Sequence, residues 1–284
     1  MALTINTNIA SLVAQSNLNN ATKLLNKSIE RMTTGYKINH ASDNAAGYSI
    51  SKSWETQISS LDIAADNAAT GADMLATLED TYSLISSHLQ RVRDLTEQAA
   101  NGTYGTQSLK AIKAEMTSRL EEVDRIAANC EFNGLKMMDG SMGEISLQVG
   151  LYSSADSRIT LSADLFKEAD INSLFKKDIN ALASACSGLT TGTSANSMLA
   201  SIDSVINEIS GRVTTLGAAQ NRIDSAVESI SVQSENLTSS LSTLRDADVA
   251  DESSNYIKAQ ILQQAAATLL ATANQSPSIA LNLL

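Results

Sequence analysis

The residues that could carry out chemistry are few in this chain, and none stands at the spacing of a reactive site. His40 and His88 are the only histidines, and neither has a cysteine or carboxylate at the spacing of metal ligands. We expect His88, next to Leu89 on a long helix, to lie on the solvated face of that helix. The sequence therefore predicts no metal site and no cofactor.

The carboxylates lead to the same expectation. Glu121, Glu122 and Asp124 are clustered, but they stand among apolar residues at helical spacing, which is typical of a solvated helix face. The chain contains no glycine-rich phosphate loop and no nucleophile elbow. We therefore predict that the protein is not an enzyme.

The two cysteines, Cys130 and Cys186, do not form a metal or redox motif. Cys130 continues a row of residues at intervals of seven with Met116 and Val123, so we expect it to be packed as a small hydrophobe. We expect both thiols to be free, and a disulfide between them is the alternative that the sequence leaves open.

The composition favours long helices. The 284 residues include a single proline, Pro277, and only 4% aromatic residues, which fits poorly with the many turns of a sandwich or barrel. The net charge of -11 argues against nucleic acid as a partner, because phosphate binding needs clustered Lys and Arg. There is no apolar run of roughly 18 residues, so no membrane span is predicted, and the N-terminus lacks the pattern of a cleavable secretory signal.

The strongest periodicity lies between Leu199 and Leu244, where two rows repeat every seven residues and predict a coiled-coil helix of roughly 70 Å. We expect the polar Gln220 and Ser234 to specify register or to admit water. One row of this seam contains Ile202, Ile209, Leu216, Ile223, Ile230, Leu237 and Leu244, and the other contains Leu199, Ile206, Val213, Gln220, Val227, Ser234 and Leu241.

Two further rows at intervals of seven, in the first half of the chain, predict the partner helix. The small residues Ala64, Ala68 and Gly71 are expected to let another helix approach closely. A turn follows at 101–105, and a third helix is predicted from about Thr106 to Asn129. The two rows contain Trp54, Leu61, Ala68, Leu75, Tyr82 and Leu89, and Ala64, Gly71, Leu78, Ile85, Val92 and Ala99.

Between Asn133 and Ser162 the period changes to two. Apolar residues alternate from Ile145 to Leu151, a second apolar segment follows at 159–161, and glycines and serines flank them, which predicts a β-hairpin. The predicted fold is mainly α: a long antiparallel helical coiled-coil bundle with a small β-hairpin region and paired N- and C-terminal helices.

Both ends of the chain are uncharged. Residues 1–22 and 259–284 carry no charged side chain but have apolar residues at helical spacing, and we predict that they form a self-assembly core. A basic flank (Lys23, Lys27, Arg31, Lys37) and an acidic flank (Asp246, Asp248, Asp251, Glu252) suggest that the two ends lie side by side. The predicted core residues are Ile5, Ile9, Leu12, Ile261, Leu262 and Leu269.

Several short motifs stand out along the chain: Ile5–Asn8, Glu30–Asn39, Gln90–Leu95, Ala100–Thr103, Phe132–Gly134, Gln148–Gly150, Leu244–Asp248, Lys258–Ala265 and Ala273–Gln275. In this order they closely resemble the motifs of bacterial flagellin. The resemblance covers about 1–163 and 199–284, and the motifs near the C-terminus are the most specific.

The resemblance implies a structural subunit that self-assembles into the flagellar filament for motility. It divides the chain into an inner-core helical domain (1–42 and 245–284), a coiled-coil tube domain (43–163 and 199–244), and a short connection, 164–198, where most flagellins carry variable outer domains. We therefore expect a thin, smooth filament.

The same resemblance implies the localisation and the partners. Flagellins are secreted unfolded through the flagellar type III export apparatus and polymerise beneath a cap protein. The implied partners are copies of the chain, the flagellar cap, the hook-junction proteins and an export chaperone, with neither nucleic acid nor membrane. Host immune receptors are also implied, with Arg91, Leu95 and Glu115 as contacts for a Toll-like receptor and the segment 30–51 resembling a peptide sensed by plant receptors.

Two alternatives of function stay open on the sequence. A hook–filament junction protein shares the terminal pattern, although the Gln260–Ala265 motif and the match at 90–103 favour flagellin. A cell-surface polysaccharide-binding protein would use the Ser/Thr-rich residues 186–201, but nothing in the sequence names its ligand.

Overall fold

The computed structural model of the protein describes residues 7–101, 103–175 and 192–281, with side chains in the last range described from 198 to 275. Within these ranges the chain is mainly helical, and the predicted fold class is confirmed. The helices are α1 Ile9–Thr34, α2 Ala45–Ala100, α3 Thr106–Asn129, α4 Ile171–Phe175, α5 Gly192–Arg245 and α6 Val249–Leu281. The strands are β1 Glu131–Phe132, β2 Leu135–Lys136, β3 Ile145–Gln148 and β4 Arg158–Leu161.

The described residues form two compact units. One consists of the residues up to Ile58 and from Glu235 onward, and the other runs from Ser59 to Ser234. These limits fall inside α2 and α5. The predicted domain boundaries at 42/43 and 244/245 lie at helix ends instead, and they stay predictions about domain organisation.

The core of the unit Ser59–Ser234 is built from the two predicted rows of α2. Every member of these rows from Leu61 to Ala99 is buried, and only Trp54, in the other unit, is half-buried. Each fully buried aliphatic side chain contributes roughly 1.5–3 kcal/mol. The third helix begins and ends at the predicted residues, and its Met116 and Val123 are buried.

The seam on α5 was predicted as two rows at intervals of seven, and the structure buries most of the first row and no member of the second. Ile209, Leu216, Ile223 and Ile230 are buried as predicted, whereas Leu237 is half-buried. The other row is half-buried, and its Val227 is exposed. The second buried row of α5 is displaced by one residue from the predicted one and contains Met198, Val205 and Ala219.

The sequence led us to expect that Gly71 lets another helix approach closely. In the structure, Gly71 makes room for a residue of strand β3 instead. A Cβ atom at position 71 would lie 2.4 Å from Cδ1 of Leu147 in β3. The nearby Asn67 Nδ2 donates to the carbonyl oxygen of Gln148 at 3.2 Å. The absence of a side chain at Gly71 therefore lets the hairpin pack directly onto α2.

The predicted hairpin is confirmed, and a second hairpin was missed. Strands β3 and β4 pair antiparallel, with Ile145 opposite Leu161 and Leu147 opposite Ile159. Strands β1 and β2 also pair antiparallel around Asn133 and Gly134, whose φ values are 49° and 80°. Positive φ at both central residues is the type I′ geometry that the Asn-Gly dipeptide favours, so this dipeptide was the signal available in the sequence.

Cys130 is packed, as predicted. It is buried at the end of α3, and its Sγ lies 3.4 Å from Oγ1 of Thr81. Burial raises the pKa of the Cys130 thiol, which keeps the sulfur protonated and unreactive. Cys186, and with it the alternative of a disulfide, lies outside the described residues.

Two polar side chains, those of Gln220 and Asp124, connect different helices. Gln220, predicted to specify register, donates from Nε2 to Oε2 of Glu79 on α2 at 2.8 Å. Asp124 was predicted to be solvated, but it is half-buried and accepts a 2.7 Å hydrogen bond from the backbone N–H of Ile171, at the start of α4. Burial raises the pKa of the Asp124 carboxyl group.

Arg212 of α5 is the central polar contact of this unit. Its Nη1 donates to the hydroxyl of the buried Tyr82 at 3.4 Å and to the carbonyl oxygens of Lys167 and Glu168 at 3.2 and 3.1 Å. Its Nη2 contacts Glu208 at 2.8 Å. One guanidinium therefore joins α2, α5 and the segment before α4.

In the other unit, the junction between α1 and α2 is held by the end of α5. Gly35 ends α1 in the left-handed conformation with φ 74°, and its carbonyl oxygen accepts from the N–H of Ala247 at 2.8 Å. The Arg245 guanidinium lies 4.1 Å from the ring centroid of Tyr36 and also pairs with Glu55. The backbone N–H of Lys37 donates to the carbonyl oxygen of Arg245 at 2.7 Å.

Asp43 fixes the rest of this junction. Its carboxylate lies 2.7 Å from Nζ of Lys27 and accepts from the backbone N–H groups of Asn39 and His40 at 3.2 Å. The hydrogen bond from Lys27 is the main cause that lowers the pKa of Asp43 to about 2. The carboxylate therefore stays ionised in the folded state well below the pH at which an ordinary Asp is protonated.

We predict that Arg212→Met lowers the free energy of unfolding by about 2–4 kcal/mol, because two carbonyl oxygens and the Tyr82 hydroxyl lose a charged donor. The measurement is urea unfolding followed by circular dichroism. Arg222→Met, on the exposed side of the same helix, is the control and should change stability by about 0.5 kcal/mol or less. Equal effects of the two substitutions would contradict this role of Arg212.

We also predict a pH-dependent contribution of Asp43. Because its pKa is lower in the folded state than its ordinary 3.8, its contribution is complete above about pH 4 and is lost as the pH falls to about 2. The difference in melting temperature between the wild-type chain and Asp43→Asn should therefore shrink over that interval. A difference that stays constant from pH 6 to about pH 2 would show that the carboxylate charge contributes nothing.

Candidate self-assembly surface

Helices α1 and α6 form an antiparallel pair. Nδ2 of Asn8 donates to the carbonyl oxygen of Ala273 at 2.7 Å near one end, and Nε2 of Gln263 donates to Oγ1 of Thr22 at 3.2 Å near the middle. Arg31 and Glu252 lie together near the other end. Cα atoms of the two helices lie within 8 Å of one another along the pair. The predicted pairing of the two terminal helices is therefore confirmed.

Small side chains make this close approach possible. The buried residues of α1 are Ala14, Ala21 and Ser28, at intervals of seven. In α6 the buried residues Ala259 and Ala266 continue a row of the same spacing that begins at Glu252. A stripe of small residues at this repeat lets two backbones come together without intervening bulk. The sequence analysis followed the large aliphatic residues of these two segments, so this row was missed, although its spacing is visible in the sequence.

Most of the large aliphatic side chains of both helices are exposed, whereas Leu18, Leu25 and Leu270 are half-buried. Ile9 is 68% exposed and Ile261 is 59% exposed. Ordinary soluble proteins keep such side chains inside, and an extended apolar patch usually marks an interaction site. We call these side chains the outer face of the pair: Ile9, Leu12, Val13, Leu24, Ile29 and Met32 on α1, and Val249, Ile257, Ile261, Leu262 and Leu269 on α6.

The residues predicted for the self-assembly core are thus found on the outer face and not between the two helices. Ile9, Leu12, Ile261, Leu262 and Leu269 are all exposed. Ile5 lies outside the described residues. The side chains that α1 and α6 bury against each other are mostly alanines, so the predicted residues contribute little to the pairing of the ends, and their contact with other copies stays a proposal.

The charged flanks lie side by side, but they meet in one ion pair among the described residues. Nη1 of Arg31 is 3.6 Å from Oε2 of Glu252. Lys27 pairs with Asp43 instead, and Nζ of Lys37 donates to the carbonyl oxygen of Thr243 at 2.8 Å. Asp248 accepts from the N–H of Ala250 at 2.8 Å at the start of α6, which is the position of an N-cap.

The predicted receptor residues are only partly accessible. Nε of Arg91 donates to Oε1 of Glu115 at 3.1 Å, so α2 and α3 place these two side chains together on the surface. Leu95 is 1% exposed, because it belongs to the core beneath them. Arg91 and Glu115 are therefore accessible and Leu95 is buried, and a receptor contact at these residues stays a prediction.

The histidines do not form a site. Nε2 of His40 lies 2.7 Å from Glu30. His88 was predicted on the solvated face, but it is half-buried, and its Nδ1 is buried without a hydrogen-bond partner. Among the described residues, no three His, Cys, Asp or Glu side chains cluster as metal ligands. No helix in the described ranges has both the length and the apolar character needed to cross a bilayer.

Two family models match this chain. The model of the bacterial flagellin N-terminal helical region matches residues 5–142, and that of the bacterial flagellin C-terminal helical region matches residues 199–284. The first match contains the whole of α1, α2, α3 and the first hairpin, and the second contains most of α5 and all of α6. Both helices of the terminal pair are therefore covered.

Curated relatives match over the whole length. The chain is 34% identical to a flagellin of Halalkalibacterium halodurans over 280 residues and 33% identical to a flagellin of Bacillus subtilis over 304 residues, with 99% of each chain covered in both cases. A solved structure of a hook-associated protein from Vibrio parahaemolyticus is similar with a TM-score of 0.62 and 14% identity, covering 72% of this chain and 100% of the other. At that identity the similarity concerns the fold alone.

The fold with its paired terminal helices, the two family models and the full-length relatives agree. They identify a structural protein of the flagellum and no enzyme. The chain belongs to the bacterial flagellin family, whose members are the structural subunits of the flagellar filament that serves motility.

Proposed function

We propose that copies of this chain assemble through the outer face of the α1–α6 pair into the core of a flagellar filament. The observation that carries the proposal is the packing of the pair, in which the fully buried apolar residues are alanines and most of the large aliphatic side chains are exposed. A monomer gains nothing from such an arrangement, because the large side chains would contribute more to its stability if they were buried.

The energies indicate that one neighbour is not enough. Burying four aliphatic side chains yields roughly 6–12 kcal/mol, whereas association costs an estimated 4–15 kcal/mol in lost freedom of motion. A contact with a single neighbour is therefore weak. A copy that contacts several neighbours at once buries apolar surface against each of them, but it loses its freedom of motion only once. This favours growth at an existing filament end over the formation of pairs in solution.

The uncharged character of the ends supports the same proposal. The part of α1 before Lys23 and the part of α6 after Lys258 contain no charged side chain. A charge on these faces would have to be desolvated when a neighbour covers it, at a cost of several kcal/mol unless it were paired. Asparagine, serine and threonine keep the free chain hydrated at a much smaller cost on assembly.

We further propose that the chain is secreted unfolded through the flagellar type III export apparatus, with the export chaperone, the cap and the hook-junction proteins as partners. Most of the stability of a helix in a protein comes from tertiary packing, so the terminal segments unfold easily when they are not packed. The short connection 164–198 leaves little chain for an outer domain, and its described part is packed, with Phe166 and Ile171 buried. This supports a thin, smooth filament.

Recognition by host immune receptors is proposed at Arg91 and Glu115, which form an exposed ion pair between α2 and α3. The alternative of a hook–filament junction protein shares the fold, but the full-length relatives that are named flagellin favour a filament subunit. The residues 186–201 of the polysaccharide-binding alternative lie mostly outside the described side chains, and no described contact supports it.

We predict that removing residues 1–40 or 245–284 abolishes filament growth, because each truncation deletes one half of the α1–α6 pair. The measurement is electron microscopy after purified chains are mixed with filament fragments, with the full chain as the control. The truncated chains should keep most of their helical circular dichroism signal, which comes from the unit Ser59–Ser234. Filaments grown from either truncated chain would rule out the proposal.

A pair of point substitutions separates assembly from the folding of the pair. Ile261→Ser changes an exposed side chain and should leave the melting temperature of the monomer unchanged while it raises the critical concentration for elongation at least about ten-fold, as expected for the loss of roughly 1.5–3 kcal/mol. Ala259→Leu changes a buried neighbour and should destabilise the monomer itself, because a large side chain forces α1 and α6 apart. The proposal fails if Ile261→Ser elongates like the wild-type chain.

A further inference from the structure

The loop between β3 and β4 presents two exposed side chains of kinds that dominate many protein interfaces, Tyr152 and Arg158. Tyr152 is 66% exposed. The amide of Gln148 holds both residues in place: its Nε2 donates to the carbonyl oxygens of Gly150 and Tyr152 at 2.7 and 2.9 Å, and its Oε1 accepts from Nε of Arg158 at 3.0 Å. The loop is therefore ordered before any partner arrives, which lowers the entropy that binding costs.

A cleft borders this loop on each side. The smaller one, of about 360 Å³, lies between the loop and α2, and Ile63, which is 59% exposed, lines it together with Tyr152. The larger one, of about 600 Å³, lies between the loop and α5, and the exposed Arg222 lines it. Tyr152 and Arg158 line both clefts. One continuous patch therefore runs from α2 across the loop to α5, with Ile63 and Tyr152 as its apolar centre.

The α2 edge of this patch is acidic. Successive residues of a helix turn by about 100°, so Asn67, Ile63, Asp66 and Asp62 follow one another around α2. Asn67 and Ile63 line the smaller cleft, and the two carboxylates therefore lie on the side away from the loop. Both aspartates are exposed, and neither belongs to an ion pair within the described residues.

The α5 edge is basic. Arg222 has no ion pair or side-chain hydrogen bond in the ranges that the structure describes, and of the Arg158 guanidinium only Nε is bound, to Gln148. Asp156 also lines the larger cleft, but it is paired with neither arginine. This edge therefore carries two positive charges and one negative charge, against two negative charges at the α2 edge.

An acidic edge, an apolar centre and a basic edge in this order are complementary to themselves. A two-fold axis through the centre places the acidic edge of each copy on the basic edge of the other. A polyanion would be repelled by the acidic edge, a polycation by the basic edge, and a small ion would leave Ile63 and Tyr152 in water. We call these residues the loop patch: Asp62, Ile63, Asp66, Tyr152, Arg158 and Arg222.

We propose that the loop patch binds the loop patch of a second copy, with the acidic edge of each chain on the basic edge of the other and the two apolar centres in contact. The contact goes beyond the proposed assembly through the outer face, because its residues belong to the other unit. A two-fold contact closes after two copies, so it joins chains in pairs and cannot extend a filament by itself. The loop patch is far smaller than the roughly 20–30 residues a side of a stable interface, so the dimer is weak and reversible.

The test uses two charge-reversed variants of the full-length chain in sedimentation equilibrium, without filament seeds and at about 0.1 M salt. Asp62→Lys/Asp66→Lys makes both edges basic, and Arg222→Glu makes both edges acidic. Each variant alone should raise the Kd of the dimer about ten-fold or more. An equimolar mixture of the two places opposite charges together in both contacts, and it should dimerise with a Kd within about three-fold of that of the wild-type chain.

The matched control is Asp73→Lys/Asp80→Lys. Both residues are exposed on the same side of α2 but lie outside the loop patch, and Asp73 is about 10 Å along the helix from Asp66. This variant should dimerise like the wild-type chain, and it should not restore dimerisation when it is mixed with Arg222→Glu. Asp156→Asn removes the negative charge from the basic edge and should lower the Kd of the dimer.

A wild-type chain that shows no dimer up to about 1 mM overturns the inference, and so does a mixture that dimerises no better than its two variants separately. Circular dichroism with thermal unfolding checks that each variant is folded. Seeded elongation measures the proposed function separately. Filaments that grow from a wild-type chain without any dimer would overturn this inference alone, and a dimer without filament growth would contradict the proposed function alone.

Discussion

The close packing of α1 against α6 through small side chains is the interaction on which the rest of this structure depends. Ala14, Ala21 and Ala259 are buried between the helices, which brings the two backbones close together. Most of the large aliphatic residues of the same segments are left exposed. One choice, alanine at intervals of seven, decides both how the chain ends pair and what they expose.

The two units use the same seven-residue repeat but bury different kinds of side chain with it. In the unit Ser59–Ser234, intervals of seven carry Leu, Ile and Val inward, and the core is complete within one chain. In the terminal pair the same interval carries Ala and Ser, and only part of the available apolar surface is buried. Arg212 and Arg245 show the same difference. Arg212 donates to the hydroxyl of the buried Tyr82, and Arg245 donates to the carbonyl oxygen of Ile38 in the junction between α1 and α2.

The sequence was sufficient where one local pattern determined the result. The rows on α2, the limits of α3 and the alternation in β3 could be read directly, because burial follows period and the chain keeps that period for many residues. It was insufficient where a residue from another part of the chain determined the contact. Gly71 packs on Leu147 and Asp124 binds the N–H of Ile171, and neither partner is apparent from spacing. The outer face could be predicted only in part. Several of its aliphatic residues were identified from the sequence, but the buried alanine row of the same helices was not.

The two helices of the terminal pair are far apart in the sequence, and this affects the order in which parts of the chain fold. The hydrogen bond from Asn8 to Ala273 joins residues 265 positions apart, so it closes nearly the whole polypeptide into one loop. Local helices and the core of the other unit form with far smaller losses of chain entropy. We therefore expect the terminal pair to form after the core of the other unit.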